Sequence, residues 1–203
     1  MKKYDVVGIG NAVVDIISPC DDAFLEKMGI EKGIMQLIEK DRAELLYNSM
    51  DVRTKAAGGS VANTLAGIGS LGRKTAFIGR VSDDELGRYY ADATSAAGTD
   101  FLNKPVPDGK LPTSRSMIFN SQDGNRSMNT YLGISGDLST DDIPTDLANL
   151  AAIVFMEGYL FDKDKGKQAF EKLAKETKLA GGKTGIAISD PFCVERHRDD
   201  FLS

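Results

Sequence analysis

Histidine occurs once in the 203 residues, as His197, and cysteine twice, as Cys20 and Cys193. Two cysteines make no disulfide framework, so a reducing cytoplasm is the expected compartment. Cys193 and His197 stand four apart and would share one helix face. No second pair completes a zinc site, and nothing supplies the orienting third group of a Cys-His nucleophile. The expectation is a buried Cys193, with Arg196, His197 and Arg198 on a polar helix face and no metal site. No apolar run is long enough to span a membrane, and Met-Lys-Lys-Tyr-Asp opens the chain without the apolar stretch of a signal peptide. A Lys/Arg run is also missing. Formal charge is −5 and the pI is near 5.0, which argues against nucleic acid as a partner. There is no internal repeat, no low-complexity segment and no P-loop Gly-x-x-x-x-Gly-Lys-Ser/Thr.

What remains is ordinary globular composition, 41% hydrophobic and 27% charged, in a chain long enough to bury a sizeable core. Tyr4–Gly10 reads as a buried first strand, and Val13-Val-Asp-Ile-Ile17 keeps β-branched character. Asp22 to Met28 predicts a short helix ending at Gly29. Gly33–Glu39 predicts a strand, and Asp41 is placed as the cap of a helix over Arg42–Met50. A helix through Leu65, Ile68 and Leu71 and a strand over Thr75–Val81 follow. Asp83 and Asp84 read as charges at the start of the next helix, where the dipole favours them. Thr113–Asn120 and Arg126–Tyr131 look like two hairpin arms joined by Ser121-Gln-Asp-Gly-Asn125. Strand, helix and strand resume over Ala152–Gly158, Lys163–Leu179 and Thr184–Ser189, a pattern that means parallel βαβ units. Val194–Ser203 looks like an opening helix with no C-cap, and the chain is expected to be the N-terminal part of something longer.

Gly8-Ile-Gly10-Asn11-Ala12-Val13 resembles a dinucleotide fingerprint only in part. Its third glycine position holds Val13, and a strand pattern follows where the fingerprint needs a helix. The more informative stretch is Ala57-Gly58-Gly59-Ser60-Val61-Ala62-Asn63-Thr64. A Gly-Gly pair at a helix mouth offers free backbone N–H groups, no side-chain bulk and a positive dipole end. Such a place suits a hydroxyl-rich or anionic ligand held against main chain.

Taken in order, Gly-x-Gly-Asn11, Asp15 inside an apolar strand, and the Gly58-Gly59 helix mouth with Asn63 resemble the PfkB/ribokinase family of sugar and nucleoside kinases. Gly69, Gly72 and Gly79 extend that likeness. Gly79-Arg-Val-Ser-Asp-Asp-Glu-Leu-Gly87 resembles the family's next motif, with Ser82 in place of a glycine, and Glu157-Gly158-Tyr159 resembles its strand end. The adenosine-kinase branch is the nearest likeness. The resemblance implies a ribokinase-like, three-layer (Rossmann-like) α/β fold with a mostly parallel sheet and a small β lid. Lid strands would come from about 13–18, 33–39, 114–120 and 126–131. Residues 1–203 would be the N-terminal portion of one such domain, without its C-terminal ATP-binding part.

It also implies roles. Asp15 would accept hydrogen bonds from two ribose hydroxyls beside Asn11, with Gly58, Gly59 and Asn63 completing the grip; one carboxylate with two oxygens suits a vicinal diol. Gln36 would contact the base, and Tyr159 and Leu160 would line its pocket. Each residue also has a plainer reading. In it Asp15 caps a backbone amide, the glycines serve positive φ or tight packing, Asn63 is an ordinary first-turn residue, and Tyr159 and Leu160 are ordinary core. The implied activity is transfer of a phosphoryl group from MgATP to a primary hydroxyl, adenosine to AMP being the best match. A sugar kinase of the ribokinase or fructokinase type, or a fragment that binds nucleoside or sugar without catalysis, are the alternatives. The family's Asp-Thr-x-Gly-Ala-Gly-Asp and Asn-x-x-Glu motifs do not occur. No catalytic residue is therefore expected within the chain; the base, and most of the ATP and Mg²⁺ site, would lie beyond Ser203, and the 203 residues alone would be inactive. Lid edges are also open to a homodimer.

Overall fold

The computed structural model describes residues 2–202; Met1 and Ser203, the ends of the expected 1–203 span, lie outside them. In chain order the elements are β1 (Tyr4–Ile9), β2 (Val13–Cys20), α1 (Asp22–Lys27), β3 (Met35–Leu37), α2 (Lys40–Asn48), β4 (Thr54–Gly58), α3 (Ser60–Ser70) and β5 (Thr75–Ile78). There follow α4 (Glu85–Ala96), β6 (Thr99–Phe101), β7 (Ser114–Ser121), β8 (Arg126–Tyr131), α5 (Leu147–Leu150), β9 (Ala151–Glu157), α6 (Asp164–Leu179), β10 (Lys183–Ala187) and α7 (Pro191–Leu202). No helix among the described residues is long and apolar enough to cross a membrane.

Five parallel strands in the order β10-β9-β1-β5-β6 form the central sheet. Both faces are covered, as a parallel sheet requires. Val6 and Phe77 face Val61 and Leu65 of α3 and Tyr90 of α4. Tyr4, Val7, Ile9, Ala76 and Ile78 face Leu147 of α5 and Ala169 and Leu173 of α6. The result is the three-layer α/β architecture expected from the alternating strand and helix pattern.

A second, mixed sheet runs in the order β3-β8-β7-β2-β4. The segment read as one arm after another from 114 to 131 is an antiparallel hairpin, Ser116 opposite Thr130 and Ile118 opposite Met128. Strand β4 lies outside every segment expected to be a strand and pairs antiparallel with β2, Asp15 opposite Ala56. Its sequence, Thr-Lys-Ala-Ala-Gly, has little β propensity and is set by its neighbour rather than by itself. Val14, Ile16, Met117 and Phe119 point to α1 and α2, packing on Leu25, Ala43 and Leu46. The alternate residues of the same strands face the other way, toward the central sheet's carboxyl ends.

Two local readings need correction. Helix α2 starts at Lys40 with Glu39 as N-cap, and the Glu39 side chain makes no capping bond. Asp41 therefore sits in the first turn, where it meets the dipole but caps nothing. Helix α7 starts earlier than Val194, with Pro191 at its first position and the Asp190 carboxylate accepting from the Cys193 N–H at 2.7 Å. Its backbone leaves the helical region at His197 (φ −122°, ψ 22°), so Cys193 and His197 do not share a regular helix face. Cys193 is fully buried, as expected.

Candidate acceptor site

Strand β1 ends at Ile9, and the chain turns through Gly10, Asn11 and Ala12 directly into β2. No helix begins there, so the partial dinucleotide fingerprint has no structural counterpart. Asn11 is buried and held from three directions. Its backbone N–H donates to Glu157 Oε2 at 2.6 Å, its Nδ2 donates to the same oxygen at 3.2 Å, and Ser135 Oγ donates to its Oδ1 at 3.2 Å. The other Glu157 oxygen accepts from Ser60 N at 3.2 Å and Ser60 Oγ at 2.6 Å. Gly59, the N-cap of α3, has no side chain to offer, and Glu157 supplies the missing acceptor from the end of β9. At 1% exposure this carboxyl is pushed up by burial, while the Ser60 hydroxyl and the Asn11, Val61 and Ser60 amides pull it down. The pairing of β1 with β9 brings together residues 146 positions apart, and one carboxylate ties the β1–β2 turn to the mouth of α3.

Asp15 lies on the inner face of β2, flanked by Ser116 of β7 and Ala56 of β4. Among the described residues no side chain or amide donates to its carboxylate. Burial pushes its carboxyl up to about 6, against the pull of the Arg126 guanidinium. The backbone at Gly58 is pressed on it: a Cβ there would stand 2.5 Å from Asp15 Oδ1. Gly59 takes φ +103°, and a Cβ would stand 2.7 Å from the Asn11 carbonyl oxygen. Both glycines are thus required by close approach, the second also by its backbone angle. The Tyr90 hydroxyl, at the centre of the core, donates to the Gly58 carbonyl at 3.0 Å and fixes that peptide plane.

These groups open onto one cleft of about 280 Å³ between the inner face of the second sheet and the carboxyl ends of the central strands. Parallel α/β sheets place ligands at such ends. Asn11, Asp15, Gly59, Asn63 and Tyr159 all line it, as do Ser60 and Glu157. Gly58 does not line it but backs Asp15. Across the sheet the inner face changes character in steps set by strand register. Asp15 neighbours Ser116, Ser116 neighbours Thr130, and Thr130 neighbours Leu37. The Ser116 and Thr130 hydroxyls bond each other at 2.9 Å. Beyond them Met35, Leu37, Met128 and Leu132 form an apolar end, and Arg126 stands exposed at the rim without an ion-pair partner among the described residues.

Gln36 is not brought to this cleft. Strand alternation points Met35 and Leu37 inward and Gln36 to the opposite face, where its Nε2 donates to Asn129 Oδ1 at 2.8 Å. Leu160 is core rather than lining. Tyr159 lines the cleft, and burial, together with the bond its hydroxyl donates to Asp190 Oδ2 at 2.5 Å, holds its pKa well above the usual phenol range. Sequence reading overlooked Asp162. It lines the cleft wall and accepts a two-pronged bond from Arg196 at 3.0 and 3.0 Å and one contact from His197 Nε2 at 2.7 Å. Arg196 and His197 therefore serve a largely buried carboxylate instead of an open polar face. Asp84 is the N-cap of α4, accepting from Gly87 N and from both the amide and hydroxyl of Thr113. Its structural reading holds. No group of three or more His, Cys, Asp or Glu side chains that could hold a metal ion occurs among the described residues.

The pfkB family carbohydrate kinase model matches residues 28–195. Guanosine-inosine kinase of Escherichia coli (strain K12) is 28% identical over 185 residues, covering 86% of this chain and 42% of that protein. The crystal structure of adenosine kinase from Sinorhizobium meliloti superposes with a TM-score of 0.93 at 48% identity, covering 98% of this chain and 61% of that one. A structure described as a probable sugar kinase protein from Rhizobium etli CFN 42 gives 0.93 at 43% identity, over 100% of this chain and 61% of that one. The chain thus spans between two fifths and three fifths of the length of these relatives.

Proposed function

The chain belongs to the pfkB family of carbohydrate kinases, and from that premise we propose that the full-length protein transfers the terminal phosphoryl group of ATP to the primary hydroxyl of a nucleoside, adenosine first. The observation that carries the reading is Asp15, a half-buried carboxylate lining the cleft without a hydrogen-bond donor among the described residues. Burying such a group is unfavourable unless a ligand supplies the donors. Vicinal 2′- and 3′-hydroxyls supply two, one for each oxygen. The Gly58-Gly59 turn leaves room for a ribose edge against main chain, with the α3 N-terminus behind it. Asn63 and the remaining Nδ2 hydrogen of Asn11 complete the polar grip. The apolar end and the Tyr159 ring take the base. The 48% identity to an adenosine kinase supports a nucleoside over a free sugar.

In this reading the chain's own residues bind, orient and exclude water. Asp15 and Asn11 fix the ribose, so that its 5′-hydroxyl points out of the polar corner toward the donor. Phosphoryl transfer depends mainly on such positioning and on charge neutralisation. The second sheet acts as the lid whose inner face covers the nucleoside. ATP, Mg²⁺ and the general base are assigned to the further length that the relatives possess. A substrate panel on the full-length protein with MgATP tests the proposal. Adenosine turned over at least tenfold more efficiently than ribose or fructose supports it; the reverse order sinks it.

A further inference from the structure

Apart from Arg126 at the rim, the polar side chains that line the cleft gather at its ribose end or are already engaged. From Asp15 to Leu37 the inner face crosses three strand spacings, about 14 Å. Along that path the two hydroxyls, Ser116 and Thr130, are bonded to each other. The two amides of the neighbouring strands, Gln36 and Asn129, are bonded to each other on the far face, and Asn129 is fully buried. What faces the base is Met35, Leu37, Met128 and Leu132. Methionine thioethers are soft and adaptable, and surfaces built from them accept varied shapes. Arg126, exposed at the rim, is donor-only. Its acceptors on a purine are N7, which adenine, hypoxanthine and guanine share, and O6 of the two 6-oxo bases, so it rejects none of the three.

We propose that the apolar end of this cleft reads a purine by shape and not by its Watson–Crick edge, so that 6-amino and 6-oxo purine ribonucleosides are all acceptors. The proposal rests on the nucleoside reading above and extends it to substrate range. Magnitudes separate the two cases. A site built to hydrogen-bond a substrate group rejects an analogue lacking it by about 10⁴–10⁵-fold, whereas an apolar pocket discriminates close isosteres by about 10–200-fold. The test measures kcat/KM of the full-length kinase for adenosine, inosine and guanosine at fixed MgATP, with ribose and fructose beside them. A spread below ~100-fold among the three nucleosides is expected, and a larger spread overturns the proposal while leaving the nucleoside reading intact. Turnover of ribose or fructose with none of the three nucleosides overturns both. Gln36→Leu provides an independent arm. Its amide lies on the far face, so the adenosine-to-guanosine ratio should move by less than about threefold; a shift beyond that would place Gln36 in base selection and refute the inference.

Discussion

Asp15→Asn should make the protein more stable while it weakens acceptor binding. The folded-state value near 6 lies about two units above the ordinary 3.8. Each unit is worth about 1.4 kcal/mol, so ionised Asp15 destabilises the unliganded fold by up to ~3 kcal/mol at neutral pH. The carboxylate faces an open cleft, and solvent screening reduces that to about 1–2 kcal/mol. The sign follows from linkage. The folded protein holds a proton that the unfolded chain releases, so this group's contribution is fully present below pH 3.8 and is lost as pH rises through about 6. Asparagine is neutral throughout and loses nothing. Unfolding of wild type and variant, followed by urea or heat, should therefore coincide near pH 4 and separate at pH 7.5 by ~1–2 kcal/mol, or about 2–6 °C in Tm. Acceptor KM should rise by about 1–3 kcal/mol in free-energy terms, the worth of hydrogen bonds to a charged group. A variant that is equally stable or less stable at pH 7.5, or one with an unchanged acceptor KM, would refute the reasoning.

Other perturbations address the supports of the same corner. Tyr90→Phe keeps the core ring and removes the bond to the Gly58 carbonyl; stability should fall by about 1 kcal/mol, and steady-state kinetics should show acceptor KM rising more than kcat falls. Gly58→Ala drives a methyl into the Asp15 carboxylate, so calorimetry should find acceptor binding lost even where circular dichroism shows the fold retained. Glu157→Ala leaves the Asn11 and Ser60 donors unpaired in the interior; denaturant unfolding should show a loss of about 2–4 kcal/mol, the cost of leaving buried donors unsatisfied. Acceptor KM for the wild type should fall as pH rises through about 6, because Asp15 grips a diol only when ionised; a flat profile between pH 5 and 7.5 would count against that role.

The local parts of the candidate site were legible in the sequence. Gly58, Gly59, Asn63, Asn11 and Asp15 sit in short segments whose residue types carry their own reasons, a bulk-free helix mouth and a carboxylate in an apolar strand. Glu157 carried the same family likeness but not its task. Its partners Asn11 and Ser60 are 146 and 97 positions away, and only the pairing of β1 with β9 reveals that one carboxylate serves both. Gln36 shows how fine the margin is: in a three-residue strand one step of register decides which face a side chain takes, and nothing in Met-Gln-Leu fixes that step. Strand β4 and the α7 clasp on Asp162 were illegible for the opposite reason. Weak local propensity in one, and a kinked helix in the other, are settled by partners distant in sequence. The architecture was the most readable layer, because the alternation of apolar strands and amphipathic helices repeats along the whole chain and each repeat supports the next.

Calorimetric titration of adenosine into the full-length protein at pH 6, repeated in buffers of different ionisation enthalpy, tests the central claim most directly. Asp15 is about half protonated in the empty cleft at that pH and must ionise to hold the ribose diol, so binding should release roughly half a proton. The release should vanish at pH 8 and should vanish at pH 6 in Asp15→Asn. Adenosine binding that releases no proton at pH 6, or a release that survives the substitution, would contradict the assignment of Asp15 as the acceptor-binding carboxylate.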